Sequence, residues 1–362
     1  MMKININYKI SPLYVFFLIH GEQFGAGVFD FSRIIIKEAG YDAWIGVIIA
    51  GIIIHGLVWL MYYMLSLVDG SILRIHTYIF GSIIGNVLNI IFMIYFFVVS
   101  VSILRTYIEI VQVWLYPTAS TFILALVLSC LIYYIISSGF RVITGICVIT
   151  IFISLIYMLL CFYCLIQYGH FDNFLPVLNH RPSEIFLAAK ESIYTMAGFE
   201  IILMIYPFIH SPQQSHKFAQ YSVLFSNFLY VLSAITALAF FGENQLSHII
   251  WSQLSMIQII KFPFLERIDQ LVITGYALVM VTSIILPLWA VTRGIREIFH
   301  FRQKYILIGA LILNILSSIL IKDSHTLNVL LALVSSFSLY LIFTYMPLLC
   351  MLLYLKVKII NK

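Results

Sequence analysis

Charge is what this sequence has least of. Of 362 residues only 10% are Asp, Glu, Lys or Arg, while 62% are hydrophobic and 16% are aromatic. A soluble domain carries about 25% charged residues, so composition alone makes this an integral membrane protein throughout. No polar stretch is long enough to fold by itself, and one membrane domain over 1–362 is expected. The first apolar run has no small-residue cleavage motif before the next charge, so it is expected to be a retained span, not a removed signal. The net charge of +5 fits an excess of cations in cytoplasmic loops and calls for no nucleic-acid partner.

Other absences narrow the chemistry. The five cysteines all lie in apolar runs, and although Cys161 and Cys164 have redox spacing, no soluble fold surrounds them; small apolar side chains within a helix are expected. The ten histidines show no metal-ligand spacing. No phosphate-binding glycine loop precedes a Lys-Ser/Thr pair, and no hydrolase nucleophile motif occurs. The chain is therefore expected to be neither an enzyme nor a metal or cofactor protein.

What is present is a succession of long apolar runs. They give about ten spans, near 10–37, 43–66, 82–113, 119–138, 142–167, 184–210, 216–241, 267–292, 303–322 and 327–355. The first, third and tenth are long enough to need breaks, tilt or interfacial extensions. Twelve Lys and Arg fall in loops on the side of the N-terminus and six on the other, with Arg33 and Arg105 inside the membrane, so both termini are expected in the cytoplasm. The outer loop 169–182 divides the chain into two five-span halves, about 10–167 and 184–355. A second outer loop, 242–266, contains an amphipathic stretch at 249–260 that is expected to lie flat at the interface, or else to form a lid over an outer vestibule.

The first span carries an anomaly. Residues 20–30 hold Gly21, Gly25 and Gly27 together with Glu22 and Asp30. Glycine weakens a helix interior and a carboxylate in hydrocarbon is costly, so a break over a cavity is expected. The sixth span repeats the pattern with Ala197, Gly198, Phe199 and Glu200, and Pro207 beyond. Paired interruptions at corresponding places in two halves point to a transporter-type central site.

Beyond these patterns, a set of short motifs runs through the chain in order. They are Ile10-Ser11-Pro12, Gly25-Ala26-Gly27, Arg33, Asp42-Ala43-Trp44-Ile45, Arg105 with Glu109, Leu175-Pro176-Val177, Gly198-Phe199-Glu200, Ile250-Trp251 and Phe264-Leu265-Glu266-Arg267-Ile268-Asp269. In this order and spacing the chain resembles the B-subunits of bacterial spore germinant receptors, within the amino acid–polyamine–organocation permease superfamily. It departs from that pattern at Ser32, where proline is common, at Ser252 after Trp251, and at Tyr276, where tryptophan is common. The resemblance implies an all-α five-plus-five inverted repeat with the ligand between broken first and sixth helices. It implies a spore inner-membrane subunit that binds a small germinant, an amino acid above all, and works with a large membrane A-type subunit and a lipoprotein C-type subunit. A proton-coupled transporter of amino acids or amines is the alternative.

The candidate ligand-binding residues follow. Amides freed at Gly25, Ala26 and Gly27 suit a ligand carboxylate, because the missing side chains allow close approach. Carbonyls at Ala197 and Gly198 suit an ammonium group, with Phe199 shaping the side-chain pocket. Val99 and Ser100 on the third span and Thr282 and Ser283 on the eighth are candidate walls. Glu200 is expected either to bind a cation or proton, or to accept backbone amides or pair with Arg105 or a histidine. Glu22 faces either pocket or vestibule. Asp30 either lies near Arg33 or caps the second half-helix. Arg105 and Glu109, one turn apart, are expected to pair locally, and the Glu266-Arg267-Asp269 cluster is expected to be a structural or partner-contact motif at a helix start.

Overall fold

At membrane depth each backbone N–H and C=O must find its partner inside the protein, and helices satisfy that demand within one segment. The computed structural model describes residues 8–261 and 267–360, so Phe264, Leu265 and Glu266 lie outside the described residues. The chain runs through α1 (Tyr14–Gln23), a 3-10 turn (Ala26–Phe29), α2 (Phe31–Ala39), α3 (Ala43–Val68), α4 (Ile72–Trp114), α5 (Thr121–Ser137) and α6 (Phe140–Tyr168). The second set begins with α7 (Pro182–Thr195), a 3-10 turn (Phe199–Ile201) and α8 (Ile202–Ile205), followed by α9 (His216–Phe240). Two short helices, α10 (Glu243–Leu246) and α11 (Ser252–Ile257), lead into α12 (Ile268–Phe299), α13 (Gln303–Leu320), α14 (Ser324–Tyr340), a π turn (Leu341–Tyr345) and α15 (Met346–Ile360).

Among the described residues, seven helical stretches are long and apolar enough to cross a membrane. The two interrupted segments and the shorter apolar α5 bring the membrane-length segments to ten. The packing pairs them across a pseudo-two-fold. Helix α1 packs on α9 and its counterpart α7 packs on α3, while α4 lies along its own counterpart α12, and α5 along α13. The protein is an all-α polytopic membrane protein with a five-plus-five inverted repeat. The three long spans each have a local cause for their length: α4 bends at Gly81 (φ +79°), the tenth carries the π turn, and the first is broken.

Small residues let helices approach where lipid offers no hydrophobic drive between them. A Cβ at Gly46 of α3 would sit 2.8 Å from the Ala189 nitrogen and 2.9 Å from the Ile185 carbonyl oxygen of α7. The start of the chain is tied to the end of the sixth segment by an isolated bridge, in which the Ile10 amide donates to the Phe208 carbonyl and the His210 amide to the Ile10 carbonyl, both at 2.8 Å.

The stretch 249–260 does not lie flat at an interface. Ser252, Gln253, Leu254, Met256, Ile257 and Ile260 are buried, and α11 packs on α6, α9, α12 and the turn Ala26–Phe29. The Gln253 amide donates to the Ser233 carbonyl at 2.9 Å and to Ser32 Oγ at 3.2 Å, so the stretch is a plug over the first break. The Ser32 and Ser252 that depart from the family pattern lie at this contact; both are fully buried.

The loop between the two halves is pinned at Asp42. One carboxylate oxygen accepts the Leu178 amide at 2.8 Å; the other accepts the His180 amide at 3.1 Å and lies 3.0 Å from His180 Nδ1. With Asp42 only 3% exposed, removing it leaves two amides without acceptors. Asp42→Ala is expected to destabilise the fold by about 1–3 kcal/mol, read as a lowered thermal unfolding midpoint of the protein in nanodiscs. An unchanged midpoint would show that the loop is held elsewhere.

Candidate ligand site at two helix breaks

Helix α1 ends after Gln23 because the backbone leaves helical geometry at Phe24 (ψ +70°) and Gly25 (φ −109°, ψ −153°). The carbonyls this strands are caught by side chains of other helices. Thr282 and Ser283 of α12 donate to the Gly21 carbonyl at 3.2 and 3.0 Å, and Tyr276 donates to the Gly25 carbonyl at 3.1 Å. Among the described residues, no acceptor bonds the N–H groups of Gly25, Ala26 or Gly27. Those three residues are half-buried, whereas Phe24, Val28 and Phe29 on either side are closed. Three N–H groups without acceptors thus lie side by side in a half-buried stretch of the interrupted segment.

The second break repeats the arrangement. Helix α7 ends at Thr195, and Gly198 takes φ +117°, a conformation that side chains strain to adopt. Thr195, Ala197 and Gly198 are half-buried, while Met196, Phe199 and Glu200 are closed. Two side chains stitch the breaks together. The Gln23 amide donates to the Met196 carbonyl at 2.9 Å, and the Tyr230 hydroxyl of α9 lies 3.0 Å from the Gln23 carbonyl and 3.2 Å from that of Thr195. A Cβ at Gly27 would meet Thr195 Cγ2 at 2.7 Å, so the two breaks touch directly.

Glu200 accepts from the Tyr95 hydroxyl of α4 at 2.7 Å and from the Gly198 amide at 2.8 Å. Of the expected partners it has the backbone amide and not Arg105, whose Nε instead donates to the Ile321 carbonyl at 2.8 Å. The local Arg105–Glu109 pair is likewise not formed, because Ser324 donates to Glu109 instead. Asp30 is settled as a partner of Arg33, with contacts of 2.7 and 3.0 Å and no side-chain cap on α2. Of the outer cluster, Arg267 and the fully buried Asp269 form an ion pair at 2.8 Å at the start of α12.

The structure brings Gly25, Ala26, Gly27, Ala197, Gly198 and Glu200 to one crossing, with Phe199 fully buried beside it. Val99 is half-buried on α4. The Ser100 hydroxyl is engaged by the Phe97 carbonyl at 2.7 Å and by Asn314 of α13 at 2.9 Å. Thr282 and Ser283 hold the stranded Gly21 carbonyl. Tyr95, Tyr230 and Gln23 were missed. Lone hydroxyls and an amide in apolar helices carry no spacing signal, and only the fold shows that they converge.

The chain matches the family of spore germination proteins over residues 9–327. It is also 36% identical over 359 residues to spore germination protein GerQB of Bacillus cereus, covering 99% of each chain. This chain belongs to the spore germination protein family. A more distant relative, spore germination protein B2 of Bacillus subtilis, is 21% identical over 82% of each chain. Among solved structures, the fold is similar to a Na+-coupled sialic acid symporter in a substrate-bound outward-open state (TM-score 0.66, 14% identity, 95% of this chain and 82% of that one). It is also similar to Mhp1, a nucleobase–cation-symport-1 family transporter in a closed conformation (TM-score 0.64, 11% identity, 93% and 79%). This member of the family thus shares the fold of the two symporters.

Gly198 carries three demands at once: a positive φ, an amide for Glu200, and close approach to Glu22, whose Cγ would lie 2.6 Å from an added Cβ. Gly198→Ala is expected to cost about 1–3 kcal/mol of stability from backbone strain. Thermal unfolding in nanodiscs checks it; a midpoint equal to wild type would mean that the second break relaxes freely.

Proposed function

We propose that this protein is the membrane subunit of a spore germinant receptor and binds a small germinant where the two helix breaks cross. The observation that carries the reading is the half-buried crossing itself, with unbonded amides at Gly25, Ala26 and Gly27 facing a second interrupted helix. A germinant carboxylate would dock on those amides, beside Ala197, Gly198 and Phe199, with Val99 on the flank and Thr282 and Ser283 supporting the first break. Ligand binding would change the pairing across the breaks, and large A-type and lipoprotein C-type subunits would receive that change in the spore inner membrane. In this reading both termini lie in the cytoplasm, which the excess of cationic residues on the side of the N-terminus supports.

A second reading is favoured by one observation: the two solved structures compared above are cation-coupled symporters, and Glu22 and Glu200 lie buried in the broken helices here. In that reading the protein moves an amino acid or amine with a proton. Saturable, pH-gradient-driven uptake into proteoliposomes that is lost in Glu200→Gln would establish it.

The receptor reading is tested in spores. Ala26→Phe, which fills the notch, is expected to raise the germinant concentration for half-maximal germination by about tenfold or more, equivalent to about 1.4 kcal/mol of binding. An unchanged concentration response would remove the crossing as the germinant site.

A further inference from the structure

A second recess lies away from the crossing, between the last turns of α3 and the start of α9. Its volume is about 360 Å³, which is within the range of small-ligand sites. Its walls are aromatic. Trp59 and Tyr63, one turn apart on α3, stack nearly parallel with ring centres 5.9 Å apart. Buried Tyr62 meets Tyr206, which follows α8, and His216, which opens α9, with ring centres 5.9 and 4.7 Å away. The recess opens toward lipid. Ile48, Ile52 and Trp59 are exposed along one face of α3, and a Trp–Tyr pair near the end of such a face sits at headgroup depth.

The protons around the recess are spent inward. Ser215 gives its single proton to the Pro212 carbonyl at 2.5 Å, so Tyr62 is the donor in its 2.7 Å bond to Ser215 and its oxygen keeps free lone pairs. Ser66 likewise donates to the Tyr63 carbonyl at 2.8 Å. The Gln220 amide nitrogen donates to the His55 carbonyl at 3.2 Å and to His216 Nε2 at 3.0 Å, which makes that imidazole a neutral acceptor. Tyr206 is only 1% exposed, and its hydroxyl has no hydrogen-bond partner among the described residues. Among the described residues, none of those lining the recess is Lys, Arg, Asp or Glu. Lys217 is exposed, with its ammonium 5.1 Å over the Phe218 ring, and the Asp69 carboxylate beyond α3 lies within electrostatic range of Tyr206. Pockets that take phosphate are lined with basic side chains. This one offers ring faces, acceptor oxygens and a nearby negative charge, which is the chemistry that holds a cation.

We propose that this recess binds a primary ammonium group at the membrane surface, that of an amine-bearing phospholipid headgroup. The ammonium lies against the rings of Trp59, Tyr62 and Tyr63 and donates to the hydroxyl oxygens of Ser66 and Tyr206. The site is separate from the crossing and does not depend on what binds there.

The test uses the full chain in detergent, titrated with lipids of identical acyl chains and read by native mass spectrometry. Phosphatidylethanolamine is expected to bind about fivefold or more tightly than its N-acetyl derivative, which carries no ammonium. Trp59→Leu and Tyr63→Leu are each expected to reduce that preference by about threefold or more, and Trp59→Phe to retain part of it. Trp59 is 56% exposed, so its replacement leaves the core intact. Tyr206→Phe is expected to weaken phosphatidylethanolamine and to spare phosphatidylcholine, whose quaternary ammonium donates no hydrogen bond. Ethanolamine, titrated calorimetrically into the protein in phosphatidylglycerol nanodiscs, separates the two sources of the group. Ethanolamine binding that is lost in Trp59→Leu, without any preference among the lipids, would keep the ammonium site and replace the lipid by a free amine. Equal binding of the two lipids with no ethanolamine binding overturns the proposal. A lipid preference that survives in both Trp59→Leu and Tyr63→Leu overturns it too, because the headgroup then binds elsewhere.

Discussion

The structure depends on one constraint: a helix that stops in the middle of a membrane must hand its stranded carbonyls to donors from elsewhere in the protein. Here the donors are hydroxyls on two long helices. Thr282, Ser283 and Tyr276 of α12 take the carbonyls of Gly21 and Gly25, and Tyr230 of α9 reaches those of Gln23 and Thr195. Each such bond is worth about 1 kcal/mol net, but an unpaired carbonyl at that depth costs more. The broken segments are therefore fixed by the helices around them, and the crossing they form is a product of the whole bundle.

That division of labour explains why supporting and contacting residues are hard to tell apart. Ser100, Thr282 and Ser283 are small hydroxyl residues at mid-depth, which is the composition of a pocket wall and equally of a helix contact. In the fold Ser100 is occupied by the Phe97 carbonyl and Asn314, while Thr282 and Ser283 hold the first break in shape. Gly198 is different in kind, because its positive φ, its amide and its missing Cβ are each used by a separate neighbour.

Much of the architecture was legible in the sequence because hydrocarbon punishes deviation. The apolar runs, the glycines beside carboxylates at 21–30 and 197–200, and the excess of cations on one side are all direct consequences of the bilayer. The element boundaries follow the runs closely, with the third span opening beyond the bend at Gly81. What the sequence concealed depends on side chains from distant segments meeting. Tyr95 and Glu200 are 105 residues apart and Tyr230 and Gln23 are 207 apart. For the stretch 249–260 the sequence left two readings open, flat at the interface or a lid, for a related reason: an amphipathic pattern says that one face is apolar, but not whether lipid or protein covers it. Buried Gln253, bonded to Ser32 and Ser233, shows that protein does.

The bridge between Ile10 and Ile209 has a mechanical consequence. It joins the residues just before α1 to those just after α8 through two short backbone hydrogen bonds. The half-helices on that side of both breaks therefore share one anchor, and neither can tilt without dragging the other or parting the clasp. A displacement of one interrupted segment would therefore be geared to the other, reaching this end of the molecule as a displacement of both.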